Sequence, residues 1–401
     1  MGRFRELLPL YAVIALGFLG FALTITLYIP MLMDRSFDLL PAASSTSLRA
    51  SLSGLLLAMY PLGQFFGSPI IGKLSDYYGR KKILLLSLFA CVLGFLGIAL
   101  SIEFRSLILL FIFSFLTGIC ESNMAISQSV IADKFQDPIL KNKLIGYAYS
   151  ACSLGYMIGP LLGGLLGTSL GYSSPFWFVA IGVLLLIIWI FYNFEDQYLP
   201  NNSLEIKWVE TITSIKSIFG RPKLIKYYII NFLIFFAVQG LNRVVPLYVV
   251  DEWRPSLHVY ALLISWVSFM CFIANLFILG ELVDRFSIQK LLSGLLLVSG
   301  LGVMLIVLPS HLIWMSVVWS VFLIIAIMTL PTCTSWLSHH ADISEQGQVL
   351  GNNQALLVLG ESSSAAIGGL IAAILIPLPI ILMGVILFIT GLFVLNHKNS
   401  A

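Results

Sequence analysis

Twelve runs of about 20 mainly apolar residues constrain this chain more than any other feature. A run of that length crosses the hydrocarbon core of a bilayer as a helix. Only a helix or a closed barrel satisfies its own backbone polar groups there. The runs lie at roughly 8–33, 49–71, 82–101, 106–133, 143–168, 175–194, 224–250, 258–280, 290–308, 312–338, 348–373 and 376–395, numbered here as helices 1 to 12. Most joints between them are short. The exception is 195–223, which is polar and charged. The pattern predicts an all-α integral membrane protein with 12 transmembrane helices in two six-helix halves, 1–194 and 224–401, joined by a cytoplasmic linker at 195–223. Charged residues make up 10% of the chain against 59% hydrophobic, whereas a soluble domain carries about 25% charged residues. No stretch is suited to a sizeable soluble domain, and no basic face offers a nucleic-acid surface. The first run is too long for a signal peptide and lacks a clear cleavage site, so it reads as an uncleaved helix.

Charge fixes the orientation. Of the 22 Lys and Arg residues, 17 fall in the termini and joints of one side, including Lys73, Arg80, Lys81, Lys82 and the linker. Only Arg35, Arg49, Arg105 and Arg254 fall on the other, and Arg243 alone lies inside a helix. The positive-inside tendency then places both termini in the cytoplasm.

The joint between helices 2 and 3, GKLSDYYGRKKIL from Gly72 to Leu84, reads as a short cytoplasmic loop. Gly72 is suited to end the incoming helix and Gly79 to allow a sharp turn. Asp76 is suited to a helix N-terminus, where the macrodipole favours an anion. The order Gly-x-x-x-Asp-x-x-Gly-Arg-Lys resembles the loop between helices 2 and 3 of the major facilitator superfamily, a large class of secondary transporters. A weaker copy follows 208 residues on, where Gly280, Leu282, Asp284 and Lys290 repeat Gly72, Leu74, Asp76 and Lys82, with Ile288 in place of Arg80. A repeat displaced by half the chain means two homologous halves. The resemblance implies a gating loop built on Gly72, Asp76, Gly79, Arg80 and Lys81. Asp133 at the end of helix 4 would pair with Arg80, Asp76 would sit near Gly351 at the start of helix 11, and Asp284 would act in the second copy.

Helix 5 contains SLGYMIGPLLGGLLG. Gly155, Gly159, Gly163 and Gly167 recur every four residues, a stripe that lets another helix approach closely. Pro160 removes a backbone donor and bends the helix. The run Gly155, Gly159, Pro160, Gly163, Gly164 resembles the antiporter signature of drug/proton exporters. The sequences VIADKF and KLIGYAYSACSLGYMIGPLLGG are similar to those of the tetracycline/proton antiporter group. The resemblance implies that the part of the stripe at Gly155, Gly159 and Gly163 seals helix 5 against helix 8 of the other half. One departure stands out: Ser114 occupies the place of the group's helix 4 arginine, four residues before Gly118.

Charges within hydrocarbon are costly and mark function. Three lie inside segments: Glu121 in helix 4, Arg243 in helix 7 and Glu361 in helix 11. Glu121 shares its helix face with Ser114, Gly118, Ala125 and Gln128; Arg243 has Gln239 four residues before it. A buried ion pair of Arg243 with one glutamate would leave the other acid unpaired, and an unpaired acid out of water is a candidate proton carrier. Glu121 and Glu361 are therefore the predicted proton-coupling residues. Glu121, Asn123, Gln128, Gln239, Arg243, Thr24, Tyr28 and Trp336 are the predicted substrate contacts. His339 and His340 are adjacent and do not face each other on a helix; they read as solvated. The five cysteines all fall in apolar runs and read as small buried hydrophobes.

The function these features imply is a secondary active transporter, a proton-coupled exporter of a small amphipathic compound working by alternating access. The alternatives are an importer or facilitator of a metabolite, a non-transporting receptor, and an intramembrane enzyme, which would need a nucleophile with a base or a set of metal ligands. The expected partners are a small-molecule substrate, protons and the lipid bilayer of an inner or plasma membrane. No cofactor, metal or nucleic acid is expected, nor catalysis, and the chain is expected to be a monomer.

Overall fold

The computed structural model describes residues 2–121, 123–134, 138–194, 222–341 and 346–396. The side chains of 2–6, 123–124, 132, 138–139, 141–142, 222–223, 275–276 and 346–347 lie outside the description. Among the described residues are 12 helices long and apolar enough to cross a membrane. They are helix 1 (Leu7–Met33), helix 2 (Thr46–Tyr78), helix 3 (Arg80–Glu103), helix 4 (Leu107–Ile131), helix 5 (Lys143–Leu170), helix 6 (Ser174–Asn193), helix 7 (Leu224–Trp253), helix 8 (Leu257–Arg285), helix 9 (Ile288–Val307), helix 10 (Leu312–His339), helix 11 (Gln348–Ala372) and helix 12 (Leu378–Leu395). The expected linker lies outside the described residues up to 221, and helix 7 is entered from Pro222.

Helix 3 shows why such segments form membrane helices. Leu84, Leu88, Cys91, Phe95 and Ile98 are buried on one face, while Leu86, Phe89 and Leu93 are exposed on the other. A helix that is apolar on every face finds no stable place in water.

The chain forms two compact units. The first comprises Met1–Ala42, Met59–Thr211 and Ser256–Ser265; the second comprises Ala43–Ala58, Ile212–Pro255 and Trp266–Ala401. In the first unit helix 1 packs on helix 5, and helix 3 on helices 4 and 6. In the second, helix 7 packs on helix 11 and helix 9 on helix 12. Glycine makes the closest of these approaches possible. A side chain at Gly300 would meet the Phe388 backbone nitrogen at 2.6 Å.

The structure corrects two sequence expectations here. Gly72 to Leu84 is no loop: helix 2 runs through Gly72 to Tyr78 and helix 3 begins at Arg80. Gly79 alone makes the turn, with φ +99°, a backbone region that favours glycine. The second correction concerns helix 4, which is interrupted. Its first part ends at Cys120 and its second begins at Asn123, with Glu121 outside both.

Candidate functional site

In the first unit the helix 4 break presents Glu121. Its φ of −87° and ψ of 84° leave the helical region, and its N–H still reaches Thr117 O at 3.1 Å and Gly118 O at 3.2 Å. The side chain is buried at 6% exposure. Tyr60 of helix 2 donates its hydroxyl hydrogen to Glu121 Oε2. Among the described residues, Glu121 forms no ion pair. The glycines explain how Tyr60 comes so close. A side chain at Gly118 would collide with the Tyr60 carbonyl, one at Gly67 with the Ile119 carbonyl, and one at Gly63 with the Phe115 carbonyl. Helices 2 and 4 therefore touch backbone to backbone. Phe21 of helix 1 closes the far side, its ring 5.0 Å from that of Tyr60.

Ser114, at the place of the missing arginine, is fully buried and hydrogen-bonds the Tyr28 hydroxyl at 2.8 Å. The pair is neutral. Thr24 donates to Phe21 O of its own helix at 2.7 Å. Gln128 is half-buried, and the Asn123 side chain lies outside the described residues.

In the second unit Arg243 meets Glu361 at 2.5 Å, with side-chain exposures of 2% and 8%. Gly360 lets helices 7 and 11 approach, since a side chain there would meet Phe236 N at 3.0 Å. Gln239 accepts from Asn242 at 3.3 Å. Toward the N-terminal end of helix 7, Asn231 donates to Asn353 Oδ1 of helix 11 at 2.8 Å and to Cys333 O of helix 10 at 3.3 Å. Trp336 is buried against Tyr227, with ring centroids 4.6 Å apart. His340 is exposed, as expected, and also makes local contacts. Its ring stacks on Tyr227 at 4.3 Å and its Nδ1 lies 2.8 Å from Trp336 O. Trp336 lies one turn before it, so the two rings share a face. His339 is exposed.

At the turn between helices 2 and 3, Arg80 is buried, and its partners include Asp76 at 2.5 Å, Asp133 at 3.1 Å and Ser75 Oγ at 2.7 Å. Asp76 is thus an ion-pair partner of Arg80. Lys81 donates to Phe191 O at 2.9 Å. In the second copy Asp284 is exposed, and Arg285 pairs with Glu281.

The helix 5 glycines split between two neighbours, which corrects the expected seal. Gly155, Gly159 and Gly163 face helix 1: a side chain at Gly155 would meet Leu19 N at 2.8 Å, and one at Gly159 the Ala22 Cβ at 2.8 Å. Gly164 faces Ala261 of helix 8, and Gly167 lies between Leu257 of helix 8 at 2.9 Å and Leu27 of helix 1 at 3.2 Å. A four-residue stripe covers one face, so adjacent Gly163 and Gly164 must serve different partners. Pro160 lies inside the helix.

Sequence reasoning missed Tyr60, Asn231 and Asn353. Asn231 and Asn353 carry no charge and stand out by no spacing. Tyr60 left a signal: it stands three and seven residues before Gly63 and Gly67, on the face that approaches helix 4.

A profile of the Major Facilitator Superfamily matches residues 7–252 and 227–400. The chain belongs to this superfamily. It is an integral membrane transporter, and its twelve helices are those of the fold. It is 26% identical over 368 residues to Multidrug resistance protein 2 of Bacillus subtilis (strain 168), across 88% of this chain and 89% of that protein. It is 26% identical to the class C Tetracycline resistance protein of Escherichia coli, across 77% of both chains. Among solved structures, a D-xylose-proton symporter superposes with a TM-score of 0.77 at 15% identity over 97% of both chains. The human organic anion transporter MFSD10 (TETRAN) superposes at 0.71 and 17% identity, over 97% of this chain and 99% of that one. At such identities the solved structures speak for the fold alone.

Proposed function

We propose that this transporter is a proton-coupled exporter of a small amphipathic compound, and that Glu121 carries the coupling proton. The observation that carries the reading is the placement of Glu121. It is a buried carboxyl on a break in a membrane helix, held by a tyrosine hydroxyl, while Arg243 engages Glu361. Interrupted membrane helices are a recurring way to build ion and substrate sites. The similarity to multidrug and tetracycline resistance proteins supports export and an amphipathic substrate.

A carboxyl in this position exchanges its proton with water when the site opens and excludes a cationic substrate while it holds that proton. Mutual exclusion of proton and substrate yields antiport. Alternating access of the two six-helix halves, 1–194 and 224–401, presents the site to each side in turn. The Arg80, Asp76 and Asp133 cluster serves as the cytoplasmic gate. The excess of basic residues in one set of joints supports cytoplasmic termini in an inner or plasma membrane, and the protein acts as a monomer. Glu361, held by Arg243, is the second proton-coupling residue.

The test is Glu121→Gln in proteoliposomes carrying an imposed pH gradient. The variant should lose uphill transport while retaining substrate exchange down a gradient. Uphill transport with the wild-type pH dependence would remove Glu121 as the proton carrier.

A further inference from the structure

Helix 2 carries contacts on two opposite faces within two turns. Gly54 meets Gly369 of helix 11 so closely that a side chain at Gly54 would lie 2.5 Å from the Gly369 Cα. One turn on, the Ala58 carbonyl accepts a hydrogen bond from Ser362 Oγ of helix 11 at 3.0 Å. Two residues later Tyr60 donates to Glu121 of helix 4. Residues 54 and 58 share one face, and residue 60 lies roughly 200° around from 58, at 3.6 residues per turn. Pro61 follows at once. It lacks the N–H that would bond to the Leu57 carbonyl, so the helix can flex there. Tyr60 belongs to the segment before that flexure, the same segment that carries Gly54 and Ala58. Ser362 is in turn the neighbour of Glu361.

Building on the assignment of the proton to Glu121, we propose that Tyr60 and Ser362 are positioning residues that link the charge on Glu121 to the contact between helices 2 and 11. A carboxylate accepts the Tyr60 hydrogen in a charge-assisted bond, about twice as strong as a neutral one. When hydronium gives its proton to the Glu121 carboxylate and leaves as water, the hydrogen bond from Tyr60 weakens and the segment before Pro61 loses its hold on helix 4. The Gly54 and Ala58 contacts with helix 11 lie on this same segment and respond. The coupling is reciprocal, so breaking the helix 11 contact also changes the proton affinity of Glu121. Other titratable groups near the Tyr60–Glu121 pair within its unit are Tyr28 of helix 1 and Cys91 of helix 3, with Cys120 beside Cys91 and Tyr156 of helix 5 against Phe21. None of these is a cation.

The N-terminal end of helix 2 and the C-terminal end of helix 11 line a cavity of about 530 Å³ that includes Ser47 and Ile374, both exposed. This gives a local reporter. A bimane on Ser47→Cys and a quenching tryptophan at Ile374→Trp, in a transport-competent background lacking the native cysteines, read the helix 2–helix 11 spacing. Quenching in the parent should change between acidic and alkaline buffer, and Glu121→Gln should fix it at one level. Tyr60→Phe and Ser362→Ala should each lose the pH-dependent change. The double variant should lose no more than either single one, because both act on one link. Ser362→Ala gives an independent reading should Tyr60→Phe fold poorly. Quenching that keeps its full pH dependence in both variants, while Glu121→Gln loses it and loses uphill transport, would overturn this link and leave the Glu121 assignment standing. Uphill transport in Glu121→Gln would overturn both.

Discussion

Arg243 of helix 7 and Glu361 of helix 11 form an ion pair at 2.5 Å, almost wholly removed from solvent. Removing one member of such a pair strands the other charge and costs about 3–5 kcal/mol, whereas replacing both with apolar residues is often neutral or stabilising. Glu361→Leu alone should therefore lower the midpoint of thermal unfolding in detergent well below that of Arg243→Met/Glu361→Leu. Equal midpoints would mean that the pair carries no net structural charge balance.

The Arg80 cluster should behave differently. Asp76 has 37% of its side chain exposed, and such ion pairs contribute about 0–1 kcal/mol to stability. Asp76→Asn should leave expression and unfolding nearly unchanged while lowering the transport rate. Wild-type rates in that variant would exclude a gating role.

Gly159 and Gly164 give separable outcomes. Gly159 is closed in by Ala22 and by Leu19 O at 2.8 Å on helix 1, so Gly159→Leu should destabilise the protein by about 1–3 kcal/mol through overpacking. Gly164 meets a single methyl group, that of Ala261. Gly164→Ala should slow transport, and Gly164→Ala/Ala261→Gly should restore it. A double variant as slow as the single one would place the effect elsewhere.

Gly79 turns the chain at φ +99°. Any other residue there carries a backbone strain of order 1–3 kcal/mol. Gly79→Ala should lower the unfolding midpoint measurably, whereas Gly72→Ala should not, because nothing lies within 4 Å of a side chain at Gly72.

The sequence by itself determined the number of helices, their approximate limits and the three charges inside them. It could do so because a bilayer demands about 20 apolar residues per span and makes every exception costly. The repeated Gly-x-x-x-Asp pattern and the glycine-rich helix 5 were equally legible, since small and charged residues stand out against leucine and valine. Tertiary structure alone decided the partners. A glycine stripe announces close packing but not the neighbour, so the stripe predicted to face helix 8 lies on helix 1, and Gly164 takes helix 8 instead. Composition announces a buried acid but not its company. Only the backbone contact of Gly63, Gly67 and Gly118 brings Tyr60 to Glu121, and only the approach at Gly360 brings helix 7 against helix 11, where Arg243 meets Glu361. The physical reason is that hydrophobicity is non-directional: it places a helix in the membrane, while short-range steric fit and hydrogen bonding choose which face meets which neighbour.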